Sequence, residues 1–531
     1  MAPEIFNQKY KLLAISSILL LGMLIYSNTL RSSFHFDDSF FVINNSAIRD
    51  ITNLKAIWNY IPTRFIVFLT LALNYHFHQF NVFGYHLLNL VVHLSSAILV
   101  WWLGMLIFST SVMKKDYLFK NFKWVALFAA LIFLTHPLQT ESVTYIWQRC
   151  ASLVGLLYLF SVCLYIQSRL LRIQNYSLPK WGVVYILSLF FALMSMFTKE
   201  NSITLPAMII LCEVCFFEPD KFSNWRYTIP FLFLLPIILS VLSVPQPGSI
   251  NTGWQYFLTQ PKVIITYIRL LFIPLNQNLI YDYPVVNSLN NLSFLISFAF
   301  LFVILIIAIR IFYKYRLVSF AILWFFLTLL PESSFVPLDN VIFEHRLYLP
   351  MVGFSFFLVS IIYYFFENKR LKPMVTILLI IISCYAILAY RRNFIWKDEL
   401  TLWNDVVHKS PNKAAPYTNR GNAYYRQGNF AQAIFDYTQA AAIFPGYTTA
   451  YYNRGNTYYR QGNFAQAISD YTRATVIDPS YAEAYLNRGF AYYLEKEYDK
   501  AWIDVHKIER LGYAVHPDFL NALKKASGRN K

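Results

Sequence analysis

YTNRGNAYYRQGNFAQAIFDYTQAAAIFPG, residues 417–446, is followed by YYNRGNTYYRQGNFAQAISDYTRATVIDPS at 451–480 and by a looser YLNRGFAYYLEKEYDKAWIDVHKIERLG at 485–512. Tyr417, Tyr451 and Tyr485 are 34 residues apart. With that period recur Gly421/Gly455, Tyr424/Tyr458, Ala433/Ala467, Tyr437/Tyr471, Ala440/Ala474 and Pro445/Pro479, the signature of a tetratricopeptide (TPR) helical hairpin. Small residues let the two helices of a hairpin approach, aromatic rings fill the gap, and proline marks the turn to the next hairpin. Trp403 and Pro411 fit the second half of an earlier unit, so the solenoid is expected over 393–531, with a partial repeat at about 394–413 and repeats at about 414–447, 448–481 and 482–515. The third loses the pattern after Ala501, as a capping repeat does.

Upstream the composition changes. The chain as a whole is 57% hydrophobic and only 14% charged, with a mean hydropathy of +0.42, and the apolar bias ends near Tyr390. Such a chain is solvated by lipid, not water. A spanning helix takes about 20 apolar residues. Candidates lie near 11–30, 85–108, 123–136, 143–166, 181–198, 201–217, 227–244, 293–312, 318–331, 348–366 and 374–390. The expected fold is therefore all-α: a polytopic bundle of about eleven spans over 1–392, then the TPR solenoid. The first run is too long for a signal-peptide core and reads as an uncleaved span. Pro261–Pro274 reads as a helix dipping into the outer leaflet within one loop, 245–292.

The net charge of +17 does not indicate nucleic acid, because the basic residues form short clusters between apolar runs. They alternate: Lys9 and Lys11; Lys114, Lys115, Lys120 and Lys123; Arg169, Arg172 and Lys180; Lys221 and Arg226; Arg310, Lys314 and Arg316; Lys369, Arg370 and Lys372. Placed in the cytoplasm, they set the N-terminus inside and everything after Tyr390 outside, with Arg391 and Arg392 as exceptions. The five cysteines lie in apolar stretches and form no disulfide framework, and CEVC at 212–215 lacks a second pair or a nearby histidine.

The connections left outside hold Asp37 and Asp38; Arg64; His86, Asn89 and His93; His136, Glu141 and Arg149; Lys199 and Glu200; and Glu344, His345 and Arg346. Ionisable groups of both signs at one bilayer edge are a site hypothesis, because such groups are costly there. Each also has a plain structural reading. His86, Asn89 and His93 share one helix face, and Glu141 with Arg149, Lys199 with Glu200, or Glu344 with Arg346 form ion pairs in sequence. A cavity so lined suits transfer from a lipid phosphate: a carboxylate takes a proton from an acceptor hydroxyl while Arg and Lys neutralise the leaving phosphate. Asp37 and Asp38 could instead bind a divalent metal, for which the remaining oxygen ligands are unassigned, or cap a short helix. In the repeats, Asn419, Asn453 and Asn487 recur at one position, where side-chain amides can hold an extended peptide or simply repeat a structural contact.

FDDSFFVINN (36–45), NYHFHQFNVFGYHLLNLVVH (74–93), HPLQTESVTYIWQR (136–149), TKENSITLP (198–206), YFLTQPKVIITYIRLLFIP (256–274), LPESSFVPLDNVIFEHRLYLP (330–350) and RRNFIWKDELTLWNDVVHKSP (391–411), in this order and joined to TPR repeats, resemble the transmembrane-and-TPR-containing O-mannosyltransferases and their bacterial relatives. The resemblance covers nearly the whole chain. It implies a multi-pass GT-C glycosyltransferase that moves mannose or another hexose from a polyprenyl-phosphate donor to a hydroxyl, such as a protein Ser or Thr, by inverting displacement on the outer membrane face. It further implies Asp37 as general base with Asp38 positioning the acceptor or sharing the role. Arg149, Lys199 and Arg346 are then candidates for the lipid phosphate, Arg64 keeps the cation of an Arg-Pro pair that here reads Arg64-Phe65, and His86, His136, Glu141, Glu200, Glu344 and His345 are candidates for shaping the site. The implied partners are the lipid donor, membrane lipids and a protein bound by the repeats, in a bacterial inner membrane; no cofactor is called for and metal dependence stays open. The repeat array is shorter than in the animal members, so their acceptor does not transfer. A membrane-anchored TPR scaffold and an envelope-polysaccharide polymerase or ligase are the alternatives.

Overall fold

The computed structural model describes residues 8–218, 225–236, 253–334, 338, 340–366 and 371–529. Among them every regular element is helical. The chain divides into two compact units, one formed by residues up to Leu279 and Tyr283–Asp398, the other by Ile280–Asp282 and Glu399–Lys531.

In the first unit, eight helices of the described residues are long and apolar enough to cross a membrane: Gln8–Ile25, Val82–Ser109, Tyr117–Thr135, Ile146–Ile173, Leu178–Met196, Leu292–Arg310, Arg316–Ser333 and Lys372–Trp396. These match eight of the eleven expected spans. Two others are shorter helices, Leu205–Phe216 and Pro350–Phe365, and the span read at 227–244 lies partly outside the described residues. A ninth crossing exists if Leu54–Tyr60 and Pro62–His78, bent by 112° at their junction, are one broken span. Residues 261–274 fall mostly in a longer helix, Gly253–Phe272, which is amphipathic and is not among the apolar spans.

Val82–Ser109 and Ile146–Ile173 form the buried centre, whereas Leu178–Met196 and Leu292–Arg310 keep most of their apolar surface outward, as lipid-facing helices do. Close packing uses small residues. A Cβ on Gly353 would lie 2.5 Å from the Ala321 carbonyl oxygen, so Pro350–Phe365 and Arg316–Leu329 could not approach as they do with any larger residue there.

The second unit is a solenoid of helices: Glu399–Lys409, Ala414–Arg426 with Phe430–Ile443, Thr448–Arg460 with Phe464–Ile477, Ala482–Leu494 with Tyr498–Arg510, and the closing Pro517–Ser527. The repeat residues do what their chemistry predicts. A Cβ on Gly421 or Gly455 would enter the ring of Tyr437 or Tyr471. Arg420, Arg454 and Arg488 each fork onto a carboxylate 16 residues on, Asp436, Asp470 and Asp504, with both bonds at 2.6–2.9 Å. That fork recurs in the sequence with the same 34-residue period and was not singled out there.

Candidate functional site

Phe36 has a left-handed backbone (φ 45°), uncommon for a residue with a side chain, and it closes a turn in which the Asp38 N–H donates to the His35 carbonyl at 2.8 Å. That turn separates the two carboxylates. Asp38 is fully buried and both its oxygens are used: Oδ2 accepts the His35 N–H at 2.9 Å and Oδ1 the Trp147 N–H at 2.7 Å. It fastens the loop after helix Gln8–Ile25 to the segment before Arg149. Asp37 is only half-buried. Its N–H donates to the Tyr145 hydroxyl at 3.0 Å, and that hydroxyl also faces its carboxylate. Burial pushes the Asp37 carboxyl up to about 6 against the Tyr145 hydroxyl, which lowers it; burial takes Asp38 higher, to about 8, against the two amides that lower it.

Aromatic rings fix this arrangement. Phe41 stacks on Trp147 with centroids 3.7 Å apart, and Tyr145 stacks on Trp396 at 5.5 Å. Beneath them Arg149 is fully buried and fully engaged, donating to Asn89 Oδ1 (2.6 Å), the Tyr85 carbonyl (3.0 Å) and Thr70 Oγ1 (3.2 Å). It does not pair with Glu141. His86 Nε2 meets the Ser32 carbonyl at 2.9 Å, and Asn89 Nδ2 the Val143 carbonyl at 3.1 Å, so this helix face holds both the loop with Asp37 and the segment with Glu141. His136 donates from Nε2 to the Leu271 carbonyl (2.9 Å) and accepts the Leu138 N–H at Nδ1 (3.2 Å). Burial lowers its pKa to about 4, keeping it neutral.

A second group gathers around Glu141, which lies on the same 139–149 segment. Its Oε1 is 2.6 Å from His345 Nδ1. Burial raises the Glu141 carboxyl to about 8, with Arg392, Arg346 and Lys199 opposing, and burial together with Lys199 lowers His345, so both shifts favour the uncharged form of each partner. The expected sequence neighbours do not pair. Lys199 meets Glu332 at 2.5 Å and Glu200 meets Arg64 at 2.6 Å, because adjacent residues of the tight turn Glu200–Thr204 and its cap point apart. Glu344, instead of Arg346, takes the Gln277 amide and the Asn278 N–H, both at 2.7 Å, and so pins the loop after helix Gly253–Phe272. Arg346 donates to neutral oxygens: Tyr256 Oη and the Val341 carbonyl at 3.0 Å, and the Asn340 carbonyl at 2.8 Å.

Arg64, Lys199 and Arg346 all act on His345, and Arg64 and Lys199 pair with Glu200 and Glu332. Three cations thus gather at one place, the kind of side chain that can meet an anion. Glu332 is the member that the sequence reading missed, although LPESS marked an acid at the end of an apolar run. Among the described residues no group of three or more His, Cys, Asp or Glu side chains is placed to hold a metal ion.

In the repeats, Asn453 Nδ2 donates to Asn422 Oδ1 and Asn487 Nδ2 to Asn456 Oδ1, each at 2.9 Å, and Asn487 also to Tyr452 Oη at 3.0 Å. These bonds link successive repeats. Asn419, in the first full repeat, lies at the same position with no preceding Asn422 equivalent.

A model of the TPR repeat family matches residues 421–462 and 455–495. Protein O-mannosyl-transferase F38B6.6 of Caenorhabditis elegans is 24% identical over 460 residues, covering 80% of this chain and 62% of that protein. Protein O-mannosyl-transferase TMTC3 of Mus musculus is 25% identical over 482 residues, 79% of this chain and 50% of its own. Xenopus laevis tmtc2 is 31% identical over 217 residues, 38% and 24% of the two chains. Among solved structures the Arabidopsis OM64 TPR domain is 28% identical over 22% of this chain and 95% of its own, with a TM-score of 0.21. The chain spans half to about three fifths of the first two relatives' lengths. Over about four fifths of its own length the chain is similar in sequence to proteins named as TMTC protein O-mannosyl-transferases, and it carries TPR repeats as well.

Proposed function

We propose that this chain is a GT-C-type inverting glycosyltransferase that moves a sugar from a polyprenyl-phosphate donor to a protein hydroxyl on the extracytoplasmic face. One observation carries the assignment of the base. Of two adjacent carboxylates, Asp38 is consumed by backbone amides while Asp37 stays half-exposed beside Tyr145. Asp37 accepts the acceptor's hydroxyl proton as that oxygen bonds to the anomeric carbon, and the carbon–oxygen bond to the lipid phosphate breaks with its electrons on the phosphate. Lys199, Arg346 and Arg64 neutralise the charge that develops there. Glu141 and His345 hold the pocket without adding negative charge, and Asp38, Arg149, His86, His136 and Glu344 keep the loops in place. The relatives' names support the reaction class, and alternating basic loops support a TPR unit outside the membrane with a cytoplasmic N-terminus.

The test is transfer of radiolabelled sugar from polyprenyl-phosphate donors by membranes holding wild type or Asp37→Asn at matched protein levels. Transfer by wild type that falls at least about 100-fold in the variant is expected for a lost general base. Equal transfer by both removes Asp37 from the mechanism, and no transfer by either across a donor and acceptor panel favours the scaffold.

A further inference from the structure

At the opposite end of the bundle from the acidic loop's connections, helices Ile146–Ile173 and Leu178–Met196 are joined by a short turn, and three arginines converge on one tyrosine beside it. The guanidinium carbons of Arg172, Arg169 and Arg226 lie 4.3, 4.7 and 5.0 Å from the Tyr227 ring centroid. Like charges gathered this closely need a counter-ion. One is present for Arg169: Glu213 accepts its Nε at 2.5 Å and also the Tyr165 hydroxyl at 2.6 Å. Arg172 and Arg226 have no carboxylate partner among the described residues. Among the described residues Arg226 spends only Nε, on Tyr227 Oη at 2.8 Å, and Arg172 is held between the rings of Tyr227 and Trp181 with no side-chain hydrogen bond. Stacking through the face leaves the N–H edge of a guanidinium available to an oxyanion.

A surface for a second chemistry adjoins it. Leu178, Val183, Ile186 and Phe190 are all exposed, and the last three repeat at helical spacing along Leu178–Met196 away from the arginines. A charged head at a helix end and an apolar stripe down the helix are the two halves of one amphiphile. We infer that Arg172 and Arg226, framed by Trp181 and Tyr227, bind the phosphate of an anionic phospholipid whose acyl chain lies along the Val183–Phe190 stripe. The head supplies the missing counter-ion, and the tail covers apolar surface that the bundle leaves outward.

The full-length protein, purified in detergent and stripped of lipid, is titrated with dioleoylphosphatidylglycerol or dioleoylphosphatidylcholine and read by native mass spectrometry, with inorganic phosphate as a third probe. Wild type should retain one phosphatidylglycerol in preference to phosphatidylcholine. Arg172→Gln/Arg226→Gln should weaken that retention at least about tenfold, as loss of charge-assisted bonds requires. Lys114→Gln/Lys115→Gln, an equal charge change at another loop, should not. Arg172→Lys/Arg226→Lys keeps the charge and loses the stacked plane, so it is read if the glutamine pair fails to fold; it too should retain less lipid. Equal retention of both lipids, wild-type retention by either arginine pair, or an equal loss in the lysine control overturns the site. Displacement of phosphatidylglycerol by inorganic phosphate at equal concentration overturns the lipid and leaves an anion site.

Discussion

A carboxylate that must accept a proton works only in molecules where it is ionised, so the surroundings of Asp37 set a pH limb. Its pKa of about 6 means that transfer should rise with pH through that value and level off above it. The Tyr145 hydroxyl stabilises the ionised form, and Tyr145→Phe removes it. The midpoint should therefore move upward, leaving the variant most impaired below pH 7 and recovering toward pH 8. A pH profile of transfer checks this; a uniform loss with the midpoint unmoved would mean that Tyr145 only packs. The sequence could show that two acids follow the first apolar run, but not which is available. That choice depends on the left-handed turn at Phe36 and on an amide more than 100 residues away, Trp147. The same holds for the ion pairs. Lys199 and Glu200 are adjacent in sequence, and each finds its partner on a distant segment.

The link between Lys199 and Glu332 joins the end of helix Leu178–Met196 to the end of Arg316–Leu329, with both side chains largely withdrawn from solvent. Removing one charge of such a pair leaves the other stranded at a cost of about 3–5 kcal/mol, whereas removing both is often close to neutral. Lys199→Met should lower the thermal midpoint in detergent, and Lys199→Met/Glu332→Gln should restore most of it, since Gln can still accept from Asn201. Transfer should stay low in both, because the cation for the phosphate is gone; recovery of transfer in the double variant would reduce Lys199 to a structural role. In the solenoid, the turn between the helices of each pair uses Gly428 and Gly462 at φ 76°, while the third repeat places Lys496 there at φ 62°. A left-handed residue with a Cβ costs about 1–2 kcal/mol, and glycine gives back roughly 0.5–1 through the unfolded chain. Lys496→Gly should thus stabilise the repeats by about 0.5–1 kcal/mol, seen as a raised midpoint for the TPR transition. Helices of this kind were the most legible elements: eight apolar runs and the 34-residue period appear where composition puts them. Leu54–His78 was not legible, because Asn, Tyr and His interrupt its apolar run and Pro62 falls at its bend.

At the scale of the whole chain, the candidate chemistry lies in the first unit, and the repeats supply a second surface built from near-identical modules. If the repeats engage the protein acceptor away from the reacting hydroxyl, their contacts form equally in ground and transition states, and such uniform binding affects KM without affecting kcat. Asn419 is the residue on which to read this. Asn453 and Asn487 already spend their amide N–H groups on the preceding repeat, so replacing either disturbs the solenoid as well as any bound peptide. Asn419→Ala should therefore raise KM for a folded protein acceptor several-fold, with kcat and the thermal midpoint little changed. For a short Ser/Thr peptide too small to reach the repeats, both constants should stay at wild-type values. Steady-state transfer with the two acceptors separates the possibilities. A fall in kcat with the short peptide would tie Asn419 to the chemistry, and unchanged KM with the protein would leave the amide at that position to the solenoid alone.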